Sequence, residues 1–149
     1  MGLISVVTAC YNEEENIAEI YKQVKDALNL IKNYNYEHIF IDNASEDKTV
    51  EILKSIAKND KNVKIIVNAR NFGHIRSPFY ALLQAKGDCA ISIGADLQDP
   101  PSLILDFIKK WEDGYKVVVG VTKASKESSI MFLVRKFYYN LIGRLSEIK

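Results

Sequence analysis

Hydrophobic residues alternate between two kinds of pattern along this chain. Leu3 to Ala9 (LISVVTA), Glu37 to Ile41, Val63 to Val67, Cys89 to Ile93 and Lys116 to Val121 are short runs rich in β-branched residues, and each reads as a strand. Between them, apolar positions recur at helical spacing. Ile17, Ile20, Tyr21, Val24, Ala27, Leu28 and Ile31 form one stripe, with Lys22, Lys25 and Asp26 outside it. Asn12 is expected to cap this helix, with Glu15 as its capping-box partner. Further helices are expected over Glu46 to Lys58 after Ser45, over about Ser77 to Lys86 with Pro78 in the first turn, and through Leu103, Ile104, Phe107, Ile108 and Trp111. Five strands alternating with helices predict an α/β fold with a parallel sheet covered on both faces. The polar stretch Thr122 to Ser129 is a loop-like break, and an amphipathic helix is expected from about Ile130 to Ile148. The expected organisation is a domain over 1–128 and a trailing helix over 129–149.

Composition narrows the function classes. A chain of 149 residues, 48% hydrophobic and 26% charged, is an ordinary folded domain. At this size roughly 68 to 70% of the unfolded surface can be buried, so no metal or disulfide staple is required. Twenty Lys+Arg against nineteen Asp+Glu leave a net charge of +1, too little for a global field to draw the chain to nucleic acid or an anionic membrane, so an anion site must be local. Cys10 and Cys89 sit in apolar runs without metal-ligand spacing and read as reduced core thiols of a cytosolic protein. No apolar run approaches the ~20 residues that span a bilayer, and the N-terminus has neither the basic region nor the cleavage site of a secretory signal, so neither membrane crossing nor export is expected of the chain as given. The last residues, Leu145 to Lys149, continue a helical pattern without a cap, which reads as the end of a fragment.

In open parallel sheets the ligand crevice lies beyond the carboxyl ends of the strands. Those positions are polar here: Tyr11, Asn12 and Glu13 after the first strand; Asp42, Asn43 and Ser45 after the second; Arg70, Asn71 and Gly73 after the third; Asp96, Gln98 and Asp99 after the fourth. Neither G-x-G-x-x-G after the first strand nor a P-loop is present, which argues against a dinucleotide or P-loop site. A carboxylate-rich crevice instead suits a diphosphate bound through a divalent cation, with Asp96 as the leading ligand. Structural roles compete at several of these positions. Asp99 before Pro100 and Pro101 has the form of a helix N-cap, Asp42 equally suits a turn, and His74 equally suits a helix start or a base.

Taken together, VVTACYNEEENI (6–17), IDNASEDKT (41–49), RNFGH (70–74) and ADLQDPP (95–101) resemble the motifs of family 2 glycosyltransferases, in order and spacing, and look closest to the polyprenyl-phosphate and dolichyl-phosphate sugar transferase branch. The resemblance implies a GT-A fold that binds a UDP- or GDP-linked sugar with Mg²⁺ or Mn²⁺ and transfers the sugar with inversion. By motif position, Ala9, Tyr11 and Glu13 would line the nucleotide pocket, Asp42 would bind base or ribose, and Arg70 and Ala95 would complete the donor site. Asp96 would be the catalytic metal ligand, with Gln98 beside it. Lewis-acid neutralisation of the departing diphosphate is the chemistry such a cation supplies. Two positions depart from the family pattern: Gly94 stands where an aspartate is usual, and Thr122 where many relatives have arginine, although Lys123 and Lys126 follow.

The trailing segment adds a stripe of Ile130, Val134, Phe137, Leu141, Leu145 and Ile148, widened by Met131, Phe132, Tyr138, Tyr139 and Ile142, with Arg135, Lys136, Arg144 and Lys149 alongside. It reads equally as a membrane-interface helix and as a helix whose partner segment is missing. A hydroxyl acceptor needs a general base, whereas a lipid phosphate is already anionic, and no carboxylate after Asp99 stands out as that base. The expected acceptor is therefore a polyprenyl phosphate or a cell-surface glycan served from beyond Lys149, and the expected place of work is the inner face of the cell membrane. Two rival readings are a non-catalytic nucleotide-sugar-binding or partner-binding domain and a doubly wound domain of another kind. A receiver domain is disfavoured because its acidic positions hold Asn12 with Glu13, and Ala69 with Arg70.

Overall fold

The computed structural model describes residues 2–121, 133–139 and 142. Its elements are β1 (Gly2–Cys10), α1 (Ile17–Asn29), β2 (Tyr34–Asp42), α2 (Thr49–Asn59), β3 (Val63–Val67), α3 (Gly73–Gln84), β4 (Cys89–Gly94) and α4 (Leu103–Glu112). Two compact units are distinguished, Met1–Val118 and Val119–Lys149. The first contains a wholly parallel sheet in the order β3-β2-β1-β4.

Central position explains why β1 is an almost unbroken apolar run: it is paired on both edges and covered on both faces. Alternate side chains feed two cores. Ile4 and Val6, with Phe40, Ile91 and Ile93, pack with Ile17, Ile20, Val24, Leu53, Ile104 and Ile108 from α1, α2 and α4. Val7, Ile39 and Ile41 point the other way and meet Ala81 of α3. This second face is only partly covered among the described residues. Ala90, Ser92 and Gly94 of β4 are exposed, as are Ile75, Phe79, Tyr80 and Leu83 on α3.

The amino-terminal end of the sheet holds a buried charged cluster. Glu37 accepts hydrogen bonds from the Ser5 hydroxyl at 2.6 Å and the Lys86 N–H at 2.7 Å, and is paired with Lys64. Burial pushes its carboxyl up, but these hydrogen bonds outweigh that effect and hold it below the ordinary glutamate value. Gly87 donates its N–H to the Ser5 hydroxyl at 2.8 Å. This cluster closes the end of the sheet remote from the strand-end loops.

Several expected boundaries move. Lys116 to Val121 is not a strand: no ladder partner accompanies it among the described residues, and Val117, Val119 and Val121 are exposed. Strand propensity alone does not make a strand without a neighbour to satisfy its backbone. The sheet described therefore has four strands rather than five. α1 starts at Ile17 with Asn16 at its N-cap, so Asn12 does not cap it; Asn16 donates instead to Glu13 Oε2 at 2.8 Å. α2 starts at Thr49 rather than Glu46, and α3 at Gly73 rather than Ser77, which places Pro78 inside the helix. Asp99 does not cap α4 either: Ser102 holds the N-cap place, and Leu103 and Ile104 donate to the Pro100 and Pro101 carbonyls. Thr122, Lys123, Lys126 and most of the expected Ile130–Ile148 helix lie outside the described residues. Helix is present over 133–139, where Leu133, Val134, Phe137, Tyr138 and Tyr139 are exposed.

Candidate active site

The strand order sets the location. The chain steps outward from β1 to β2 to β3, then crosses back through α3 to place β4 on the other side of β1. The strand order thus reverses between β1 and β4, and the carboxyl end of this pair is the topological switch point where such sheets bind ligands. Register brings the expected site segments side by side there. Ala9 pairs with Gly94, one residue before Ala95 and two before Asp96, while Cys10 pairs with Asp42 on the opposite edge of β1.

Side-chain-to-backbone bonds join the loops after β1 and β2. Asn12 adopts a left-handed conformation with φ 54°; its N–H donates to Ser45 Oγ at 2.9 Å and its Oδ1 accepts the Glu46 N–H at 2.8 Å. The Glu13 N–H donates to Thr49 Oγ1 at 2.8 Å, and Glu14 and Asp47 exchange bonds with the Lys48 and Glu14 backbones. Ala44 (φ 66°) and Leu97 (φ 57°) are also left-handed, so each of three strand-end loops carries one non-glycine residue in this costly region. Such conformations persist where surrounding bonds over-determine them, as here around Asn12 and Ser45.

Asp42 is fully buried. Its Oδ2 accepts the Ser45 N–H at 3.0 Å and its Oδ1 accepts the Ser45 hydroxyl. Contact between this carboxylate and a base or ribose therefore requires the Ser45 loop to move. Next to it, the Cys10 thiol is pushed up, first by burial and then by the charges of Asp42, Glu13 and Asp47, which leaves it inert. Cys89 is also free, its thiol raised by burial to about 11.

Asn43, also buried, reaches across to the loop between β3 and α3, accepting the Phe72 N–H at 2.9 Å and donating to Asn71 Oδ1 at 2.8 Å. Arg70 is exposed, with its guanidinium carbon 4.8 Å above the Phe72 ring. His74 is exposed in the first turn of α3. Tyr11 is 43% exposed and Glu13 is half-buried.

Asp96 is exposed at the end of β4, and its Oδ1 accepts the Gln98 N–H at 3.1 Å. Ala95, by contrast, is buried. A cation here would have little from the protein: no group of three His, Cys, Asp or Glu side chains is gathered anywhere among the described residues. Hard oxygen donors in small number nevertheless suit Mg²⁺ or Mn²⁺ shared with substrate phosphates, which supply the remaining oxygens. A Cβ placed on Gly94 would sit 3.2 Å from Asp96 Oδ1, so this position looks directly onto the carboxylate. A recess lined by Asn12, Glu13, Glu14, Glu15, Asn16 and Asp47, which includes one residue expected in the nucleotide pocket, is acidic and unsuited to a bare diphosphate.

Residues 5–146 match the family described as Glycosyl transferase family 2. The chain belongs to that family. This family 2 domain is 39% identical over 145 residues to a protein of Bacillus subtilis (strain 168) named "Uncharacterized glycosyltransferase YkcC", covering 97% of the chain and 45% of the relative. It is 38% identical over 149 residues to the "Prophage bactoprenol glucosyl transferase homolog" of Escherichia coli (strain K12), covering 98% and 48%. The chain thus spans about half the length of these curated relatives. Among solved structures, the mannosyltransferase PcManGT from Pyrobaculum calidifontis, in complex with GDP-Man and Mn²⁺, superposes with a TM-score of 0.61 at 22% identity, over 72% of this chain and 31% of that one. The domain has the expected α/β, GT-A type of fold.

Asn43, Ser45, Thr49 and Asn68 emerge as organisers of the strand-end loops. Asn43 and Ser45 stand among the polar strand-end residues in the sequence, but their partners lie 25 or more positions away and only the fold supplies them.

Proposed function

We propose that this family 2 domain is the donor-binding half of an inverting, metal-dependent glycosyltransferase that moves a sugar from a UDP- or GDP-linked donor to a polyprenyl phosphate. The observation that carries this reading is the register at the switch point, which sets Ala9 beside the segment Gly94-Ala95-Asp96 within a family 2 chain. Tyr11 and Glu13 leave β1 at that crevice, and Arg70 supplies an exposed cation from the β3–α3 loop. Asp96, with the Gln98 side chain near it in sequence, would hold Mg²⁺ or Mn²⁺ together with the diphosphate. Bound there, the ion supplies Lewis-acid stabilisation of charge on the leaving diphosphate. The chain's own residues bind and orient the nucleotide, and Arg70 offsets phosphate charge.

A lipid phosphate acceptor fits two observations. The E. coli relative is named for bactoprenol, and an anionic phosphate oxygen attacks without a general base; the described carboxylates beyond Asp99, Asp106, Glu112 and Asp113, lie on α4 or at its end. Exposed Leu133, Val134, Phe137, Tyr138 and Tyr139 near Lys136 support a helix lying at the inner membrane surface. No helix among the described residues is long and apolar enough to cross a membrane.

Calorimetric titration of the chain with UDP and with GDP tests the donor site. Affinity is expected to require Mn²⁺ or Mg²⁺ and to lose that requirement in Asp96→Ala. Equal nucleotide affinity in EDTA for the unsubstituted chain would remove Asp96 from this role.

A further inference from the structure

From the hydrogen bonds around its amide, we infer that Asn43 is a positioning residue for Arg70: it clamps the backbone of Phe72, whose ring carries the guanidinium, and so sets a cation at the carboxyl end of the sheet to meet the donor. The inference rests on the reading that this end of the sheet binds a nucleotide diphosphate. Asn43 has 7% of its surface exposed and uses both ends of its amide. Oδ1 accepts the Phe72 N–H at 2.9 Å and Asn68 Nδ2 at 3.1 Å; Nδ2 donates to Asn71 Oδ1 at 2.8 Å and more weakly to the Gly73 carbonyl at 3.4 Å.

The clamp is braced on every side. Asn71 Oδ1 also accepts the Gly73 N–H at 2.8 Å, which stabilises the left-handed turn at Gly73 (φ 84°) that starts α3. Asn68 Nδ2 also donates to the buried Ser77 hydroxyl at 3.0 Å, tying the clamp to the first turns of that helix. Behind Asn43, its own N–H donates to the Cys10 carbonyl, and the Asp42 carbonyl accepts the Asn68 N–H, both at 2.9 Å. These bonds fix the backbone beneath the Phe72 ring on which the Arg70 guanidinium lies. Stacking on Phe72 restricts the guanidinium, so less freedom is lost when a phosphate oxygen is bound. A carboxamide is the side chain of this length that both donates and accepts, so neither an apolar isostere nor alanine is expected to replace it.

Nucleotide affinity across a set of variants tests the coupling, with UDP and GDP, each with Mn²⁺, as probes on the whole chain. Arg70→Ala, Phe72→Ala and Asn43→Ala are each expected to weaken the better-bound nucleotide by about tenfold, the scale of one charge-assisted hydrogen bond. Combined with Arg70→Ala, neither of the other two should weaken it further. Asn43→Asp keeps the acceptor for the Phe72 N–H but loses the donor to Asn71 Oδ1, and is expected to recover only part of the affinity lost in Asn43→Ala. Fully additive losses, or a Phe72→Ala chain that binds as tightly as the unsubstituted one, overturn the inference; Phe72 is partly exposed, so that variant avoids dependence on a folding-sensitive site. A ligand-free readout separates this inference from the functional reading: ¹⁵N relaxation at Arg70 Nε should show a more mobile guanidinium in Asn43→Ala and Phe72→Ala. Unchanged relaxation overturns the clamp even if nucleotide binds. Increased mobility with no binding of either nucleotide by the unsubstituted chain upholds the clamp and overturns the functional reading.

Discussion

Acidification should loosen this domain through one side chain, His38. It lies on β2 with 1% of its surface exposed, its ring centroid 3.9 Å from that of Phe40 and its Nε2 2.9 Å from Thr8 Oγ1. Burial pushes the imidazole down from 6.5 to about 3, opposed only weakly by the Asp60 charge. The unfolded chain therefore takes up a proton near pH 6.5 that the folded chain refuses until about pH 3, and stability falls as pH falls through that window. Between pH 7 and pH 5 the loss amounts to about 2 kcal/mol from this group alone. Glu37, Asp47 and Asp60 are also held below their ordinary values, despite burial, by hydrogen bonds, but those values are 4.5, 3.8 and 3.8, so their contributions fade mainly below pH 5, outside the range compared. Urea unfolding followed by far-ultraviolet circular dichroism at pH 7, 6 and 5 measures the slope. In His38→Gln, which keeps a polar group for Thr8 but has no titrating ring, the slope over this range is expected to flatten. A His38→Gln chain with the same pH slope as the unsubstituted one would show that His38 does not carry the effect.

Three further outcomes follow from particular contacts. In Gly94→Asp a second carboxylate is introduced beside Asp96, and the chain should gain Mn²⁺ affinity in the absence of nucleotide, read by calorimetry; no gain would show that position 94 does not face the cation. A Cβ on Gly87 would lie 2.7 Å from the Leu3 carbonyl oxygen and from the Ser5 nitrogen and hydroxyl, so Gly87→Ala should cost roughly 1 to 3 kcal/mol in urea unfolding while leaving nucleotide affinity per folded molecule intact. Phe137, 71% exposed, should contribute to vesicle binding, and Phe137→Ser is expected to reduce co-sedimentation with anionic liposomes roughly tenfold; equal co-sedimentation would exclude this side chain from a membrane contact.

Much of the architecture can be read from local pattern because burial on two faces leaves a plain mark. β3 is found where the run Val63 to Val67 places it, and the stripe from Ile17 to Leu28 is the buried side of α1. Polar residues crowding the strand ends likewise mark the crevice before any partner is known. The same local signals mislead where an element depends on a distant neighbour. Lys116 to Val121 has strand character but no ladder partner among the described residues. Asn12 and Asp99 have capping chemistry, yet α1 and α4 begin later; Asn12 instead bonds to the Glu46 backbone and to Ser45.

By itself, then, the sequence determined the parallel α/β class, the interior positions of its strands and helices, and the family to which the chain belongs, because periodicity and short motifs are written in neighbouring residues. Only the tertiary structure decided which loops face one another. The return of β4 to the side of β1 sets Ala9 beside Gly94, and the parallel pairing of β2 with β3 lets one asparagine at position 43 hold a loop nearly thirty residues away. Those outcomes depend on strand order and on hydrogen bonds between segments distant in the chain, and no local pattern encodes either.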